Sequence, residues 1–408
     1  MSSVMDPILL DETAQRIAMA VERIAITQAS IDITDYEQIR QIVQLGLAQQ
    51  YFQIGDQIVT PWEDGDGHTY DLPWDVVSFG SCVDVDGNTH NNTMWLQSHY
   101  GLPGVQFSGN NAFYVPTAEM PAGKYYFTMG NNWGSNVVSG KIYEFTTTKK
   151  VPAYGQLILG TASSNTSALP DTAPANWRVR TFANGAQETP DEILTLTEVQ
   201  SSSGTNLGTL SSSTKFATSG INNMQRSGYG YNRWSVSAIR QWLNSSGGKG
   251  DWWVQKYAHD HRPDQFSTMQ GFVAGLPSEF VSIIQPVKQT TALNTVSDVD
   301  LGSSEDTVDR FFLPSLQQES IVPQVADIEG AVFPYWSERL GKTQAQGETL
   351  PAHIRYAIEN HTSAQTVRLR SASRGVAYNT WGVTTSGYAT GYYHAAYAIR
   401  PVPACVIY

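Results

Sequence analysis

Residues 368–408 read RLRSASRGVAYNTWGVTTSGYATGYYHAAYAIRPVPACVIY. The middle of this stretch, Arg374 to Ile399, sets Tyr378, Tyr388, Tyr392, Tyr393 and Tyr397 among Gly, Ala, Ser, Thr, Asn379 and His394, with no Lys, Glu, Asp, Gln or Met. A buried strand would be rich in Val, Ile and Leu. A disordered tail would carry charge and proline and few aromatic residues. Tyrosine offers a large contact area, few rotors and a polar tip, and small polar neighbours adapt around it, as in antibody binding loops. The flanks, Val367–Ser371 and Ala398–Ile407, read as strand. The pattern predicts loops and short strands held on a sheet and presenting a binding surface. A Gly- and Tyr-rich hairpin edge without a partner fits the same composition.

Working outward, three further motifs accompany this stretch. Ser237-x-x-Arg240-x-Trp242-Leu243-Asn244 lies in a segment, Tyr229 to Asn244, whose apolar spacing predicts a helix capped by Ser235 and buried through Ile239, Trp242 and Leu243. Phe311-Phe312-Leu313-Pro314-Ser315 reads as a strand end, and Val281 to Val287 as a strand. Together with RSASRG, Asn379-Thr380-Trp381, Thr385-Ser386-Gly387-Tyr388 and RPVPACVI, the Ser237–Asn244 and Phe311–Ser315 motifs resemble the variable proteins of phages and prophages diversified by retroelements. The resemblance runs in scattered motifs from about Ile54 to Tyr408.

That resemblance implies a C-type-lectin-like fold, akin to the formylglycine-generating-enzyme fold. It also implies adenine-templated mutagenesis, whose products exclude Trp, Lys, Glu, Gln and Met. Between Arg374 and Ile399 every residue but Trp381 fits. Trp381 is then scaffold, and the ligand-facing positions fall among Val376, Tyr378, Asn379, Thr384, Thr385, Tyr388, Thr390, Tyr392, Tyr393, His394 and Tyr397. The implied protein is a virion component of a phage tail or fibre, made in the bacterial cytoplasm. It binds a host cell-surface protein or glycan, contacts other virion proteins, forms a homotrimer and is not an enzyme.

Composition agrees with such a class. The 408 residues are 41% hydrophobic but only 15% charged, so Ser, Thr, Asn, Gln and Gly must cover the surface. A net charge of −12 argues against nucleic-acid binding, which needs a basic stripe. No apolar run is long enough for membrane insertion, and the start, MSSVMDPILLDETAQ, lacks the basic region of a signal peptide. Two cysteines, Cys82 and Cys405, are too few for a disulfide framework or a zinc site and read as small buried residues.

At the N-terminal side, Leu10, Ala14, Ile17, Val21 and Ile24 form a heptad-like seam on a helix from Asp11 or Thr13 to about Thr27, suited to a parallel trimer or to docking on the domain itself. A second helix, capped by Thr34 or Asp35, is expected from Tyr36 to about Gln50. From Phe52 the period changes to two. Strands are expected at Gln53–Val59 and Trp74–Phe79 around a turn at 63–68, and Met94–Tyr100 reads as a short amphipathic segment. Phe113 to Val151 reads as a small antiparallel β insert with strands Lys124–Met129 and Lys141–Thr147. The expected class is thus α+β. Residues 1–50 form a helical attachment segment, and 51–408 a lectin-like domain containing the 113–151 insert and the 368–408 variable region.

Enzymatic groups are sparse. Trp252-Trp253, His259-Asp260-His261 and Glu279 could be assembled into an acid/base or metal site, but no third ligand stands at a diagnostic distance and no HExxH, GxSxG or P-loop pattern occurs. Asp84-Val85-Asp86-Gly87-Asn88 lacks the closing Glu of a calcium loop and reads as a hairpin turn. Glu63, Asp64 and Asp66 read as loop charges. No cofactor or metal is expected. Carboxylate pairs are invisible in sequence, so a polysaccharide depolymerase stays open. So does a structural virion protein whose C-terminal face is an assembly contact.

Overall fold

A computed structural model of the chain describes residues 35–132, 138–161, 177–211 and 229–408. Over the described residues the structure is β-rich, at 35% strand and 13% helix, and of the five α-helices described only two reach seven residues. This corrects the expected α+β architecture with a helical N-terminal region. The seam from Leu10 to Ile24 lies outside the described residues. The second helix runs over Tyr36–Gln44, capped by Asp35, whose side chain accepts from the Gln38 amide. Gly46, at φ +71°, then breaks the helix before one further turn at Ala48–Tyr51. Ile39, Ile42 and Val43 are wholly buried in the main core beside Trp74 and Phe280. Packing therefore fixes this helix to the body of the domain.

The centre is a four-stranded antiparallel sheet, in order Gln57–Glu63, Thr69–Ser78, Met94–Ser98 and Ala404–Ile407. The first strand alternates strictly, burying Ile58, Thr60 and Trp62. Met94–Ser98 is buried at every position. It reads as amphipathic because polar Gln97 and Ser98 are inside too: Gln97 Nε2 donates to Glu319 at 2.6 Å and its Oε1 accepts from Trp336 Nε1 at 2.9 Å. Two helices share the core of this sheet. One is Ala238–Leu243, capped by Ser237 and not Ser235, with Trp242 and Leu243 fully buried. The other is Ser278–Ile283, where a strand was expected; it follows Pro277 and stops before Pro286, and its β-branched residues bury Ile283 beside Phe280.

The insert is larger than 113–151. Gly123–Met129 and Ile142–Thr147 pair antiparallel as expected, but Thr197–Val199 and Thr205–Leu210 flank them in one sheet. Gln156–Thr161, Trp177–Phe182 and Glu192–Thr195 form a second sheet, and both share a separate core of Phe127, Tyr143, Leu157, Trp177 and others. The last sheet has five strands, in order Ala389–His394, Asn379–Val383, Val367–Ala372, Ala398–Pro401 and Val105–Gln106. Cys82 and Cys405 are buried and free. Asp84 closes the hairpin turn between Cys82–Val83 and Thr89–His90 by accepting from the Asp86 and Asn88 amides at 2.9 and 2.8 Å.

Candidate ligand surface on the C-terminal sheet

The strands Asn379–Val383 and Ala389–His394 form an antiparallel hairpin whose register slips opposite Trp381. The extra residue there bends the strand and frees one side chain from the pleat. Trp381 is 6% exposed and packs in a small core with Val367, Leu369 and Val383. Gly391 lies on its ring, since a Cβ there would fall 2.8 Å from the indole. Next to this anchor, Tyr392 is 79% exposed.

At the same end of the hairpin the rings gather. Tyr378 stacks on Tyr229 with centroids 5.1 Å apart, His394 meets Tyr229 edge-on at 4.0 Å, and Tyr397 lies 4.6 Å from His394. Tyr378, His394 and Tyr397 are each part-buried, so rings are presented with their sides supported. Tyr393 points to the other face of its strand, over Gly382, whose hypothetical Cβ would meet the ring at 2.9 Å. Burial raises the Tyr393 and Tyr397 phenols, so both stay protonated donors.

Buried polar groups hold the loops that carry these rings. Arg368 is fully buried, and its Nη2 donates to the carbonyls of His394 and Tyr397 at 3.0 and 2.8 Å, while Nη1 donates to Thr380 Oγ1. Burial lowers this guanidinium to about 9. Gln106 Nε2 donates to the Ala396 carbonyl at 2.7 Å. Asn232, wholly buried, donates to the carbonyls of Ser373, Val376 and Asn379. The Ala395 amide bonds to Tyr378 O and the Ala396 amide to Tyr229 O. A backbone fixed at this many points loses little entropy when a ligand orders the surface.

The structure therefore divides the expected ligand positions. Tyr378, His394 and Tyr397 come together, and Tyr392 lies exposed two residues before His394 on the same strand. Thr384, Thr385 and Tyr388 lie at the hairpin turn, at its other end, where Thr349 bridges to Tyr388 and Gln344 Nε2 donates to Gly387 O. Val376 is half-buried beside Asn232's clamp, and Asn379 and Thr390 are buried at 7% and 8%. Tyr229, Asn232, Arg368 and Gln106 were not foreseen. The signal for Arg368 was present: two arginines alternate inside the apolar strand Val367–Ala372, which a buried strand tolerates only if they are hydrogen-bonded.

Of the alternative acid/base groups, Glu279 is exposed and the others are enclosed. Trp252 and Trp253 are both buried. His259 and His261 are buried, with His259 Nδ1 donating to Ala112 O and His261 Nδ1 to Gln156 Oε1. Burial raises Asp260 to about 8 and lowers His261 to about 3, so both are neutral near pH 7. Gln156 Nε2 donates to the carbonyls of Ala258 and Asp260, which makes this segment a clip between the insert and the body. Asp64 serves its own loop, accepting from the Asp66 amide and pairing with His68. Among the described residues no group of three metal-ligating side chains converges, and no helix is long and apolar enough to cross a membrane.

Neither a curated protein nor a solved structure matches the chain. A family described as a domain of unknown function, DUF6273, matches residues 197–407. The matched region contains the whole ring cluster, its clamps Asn232 and Arg368, and the strand Ala404–Ile407, whose partner Met94–Ser98 lies outside it. Since the match spans more than half of the chain, this protein belongs to the DUF6273 family.

Proposed function

We propose that this chain is a ligand-binding protein that engages a host cell-surface protein or glycan through the tyrosine-rich face of its C-terminal sheet, as a virion component of a phage or prophage. The observation that carries this reading is the cluster of Tyr229, Tyr378, His394 and Tyr397 beside exposed Tyr392, mounted on a backbone that Arg368 and Asn232 clamp from within. Rigid aromatic rings with polar tips bind with little ordering cost. Retroelement diversification is supported by the division of labour around Trp381. The one residue outside the permitted set is buried, while its neighbour Tyr392 is the most exposed aromatic of the hairpin. Trimeric display would multiply weak single contacts.

Binding of the purified protein to host bacterial cells tests the reading. Tyr392→Ala and His394→Ala should keep the melting temperature and lose at least about tenfold in apparent affinity. Variants that bind as the parent does would overturn it. Sequencing the gene across a population tests diversification separately: substitutions should concentrate at adenines between codons 374 and 399, with Trp381 constant.

A further inference from the structure

A groove of about 640 Å³ opens between the end of the helix Tyr36–Gln44, the strand Thr89–His90 with the two asparagines that follow it, and the residues Gln285 and Tyr408. A second concavity of about 300 Å³ adjoins it and shares Asn91 and Asn92. Six amides line the two: Gln44, Gln49, Gln50, Asn91, Asn92 and Gln285. Among the described residues no Asp, Glu, Lys or Arg lines either one, in a chain whose net charge is −12. The wall is tied together from within. Gln44 Nε2 donates to Tyr408 O at 3.2 Å, and Asn92 Nδ2 donates to Gln44 O at 3.0 Å. Each bond spends one N–H and leaves the amide its carbonyl oxygen and a second N–H. Asn91 and Gln285 spend no side-chain group on the described residues. His90 Nε2 pairs with Asp84 at 2.9 Å, and its ring lies 4.1 Å from that of Tyr408, tilted by 31°. Burial first, and then nearby acidic groups, push the Tyr408 phenol up to about 12, so it stays a neutral donor, held on Pro286 O at 3.2 Å.

This lining selects among ligands by what it lacks and what it offers. A phosphate or carboxylate ligand wants Arg or Lys in the wall, and a cationic one wants carboxylates. Neither stands here. The larger groove falls in the ordinary range of ligand pockets, about 300–1,000 Å³, but those are mostly apolar. An extended peptide is read through pockets for its side chains. The larger groove has no Val, Leu, Ile or Met to make one. The class that fits is a neutral molecule dense in hydroxyls. A hydroxyl both donates and accepts, as a side-chain amide does, and the His90–Tyr408 ring pair offers a flat patch for the C–H face of a sugar ring.

We propose that this groove binds a neutral oligosaccharide, with hydroxyls on the amides of Gln44, Asn91, Asn92 and Gln285 and one sugar face against the His90–Tyr408 pair. The adjoining concavity lets the ligand run on past Asn92. None of these residues belongs to the tyrosine cluster, so the site stands whether or not that face binds a host ligand.

The full chain would be tested on an array of neutral oligosaccharides and of oligosaccharides bearing uronic or sialic acids, with uncharged peptides printed beside them. The expected result is binding to at least one neutral oligosaccharide and none to its acid-bearing counterpart. Asn91→Ala and Gln285→Ala should each weaken that binding at least about tenfold, the worth of one or two hydrogen bonds. Both should keep the parent's melting temperature, because neither side chain bonds to the described residues. Tyr392→Ala should bind the same sugar as the parent does, which separates this groove from the tyrosine face. No binding to any neutral sugar, binding to the acidic sugars alone, or binding to the peptides alone overturns the proposal. So does sugar binding that survives both variants. Variants that melt lower and still bind would show that the amides only hold the fold, and that also overturns it.

Discussion

The segments His259–Arg262 and Tyr392–Tyr397 are built from similar residues, and the fold uses them in opposite ways. Both carry histidine next to aromatic rings: His261 lies 4.5 Å from Phe182, and His394 lies 4.0 Å from Tyr229. In the first, the side chains face inward and Gln156 takes the carbonyls of Ala258 and Asp260, so the histidines are buried and the segment joins two lobes. In the second, the buried donors Arg368 and Gln106 take up the carbonyls, which leaves the rings free to face outward. What separates a joint from a binding surface is which part of the segment the interior claims, backbone or side chain.

The hardest way to break this contrast is to remove what holds the open segment. Trp381→Ala should cost about 3–5 kcal/mol through the cavity it leaves. Arg368→Met should cost about 3 kcal/mol or more, because the carbonyls of His394 and Tyr397 lose their donor. Urea denaturation reads both, and a loss under about 0.5 kcal/mol for Arg368→Met would show that the clamp does not hold the loop. Next in size, Tyr392→Ala should move stability by less than about 0.5 kcal/mol while binding falls, since the ring is 79% exposed.

The closed segment predicts a pH response. Asp260 titrates near 8 when folded against an ordinary 3.8, so the folded state holds its proton more tightly. The stability from this group is complete below about pH 4 and drains away as pH rises to about 8. His261 has the opposite sign: lowered to about 3 from 6.5, it gives stability above 6.5 that is lost as pH falls towards 3. Melting temperatures of Asp260→Asn should therefore fall less than the parent's between pH 5 and 8. Identical slopes would mean that Asp260 is not buried as described. The smallest effect belongs to Glu279→Gln, a change of an exposed carboxylate that should leave both the melting temperature and binding unchanged.

Much of this was legible where a residue's role depends on its neighbours in sequence. Asp35 capping Tyr36–Gln44, the insert hairpin of Gly123–Met129 with Ile142–Thr147, and the tyrosine-bearing hairpin all follow from local pattern. Reading fails where a distant partner decides. Met94–Ser98 looks half-polar because Glu319 and Trp336 satisfy Gln97 far along the chain. Ser278–Ile283 is helical despite its Val and Ile because Pro277 and Pro286 bracket it and the core takes one face. The ring cluster was half visible: Tyr378, Tyr392, His394 and Tyr397 share one stretch, but Tyr229 arrives from another segment, and no spacing announces it. Burial also divides the expected ligand positions in a way composition could not, since Asn379 and Thr390 are inside while Thr385 is out.

The strand Ala404–Ile407 pairs with Met94–Ser98, and nearby Arg400 reaches Gly101 O across 299 residues. A sheet closed over such a span must wait, during synthesis, for almost the whole of the intervening chain. Until then Met94–Ser98 offers one unpaired, apolar edge to whatever strand is nearest. Slow maturation and a need for protection of the nascent chain follow from that single pairing. Lowering the expression temperature, or supplying a chaperone, should raise the soluble yield more than any surface substitution.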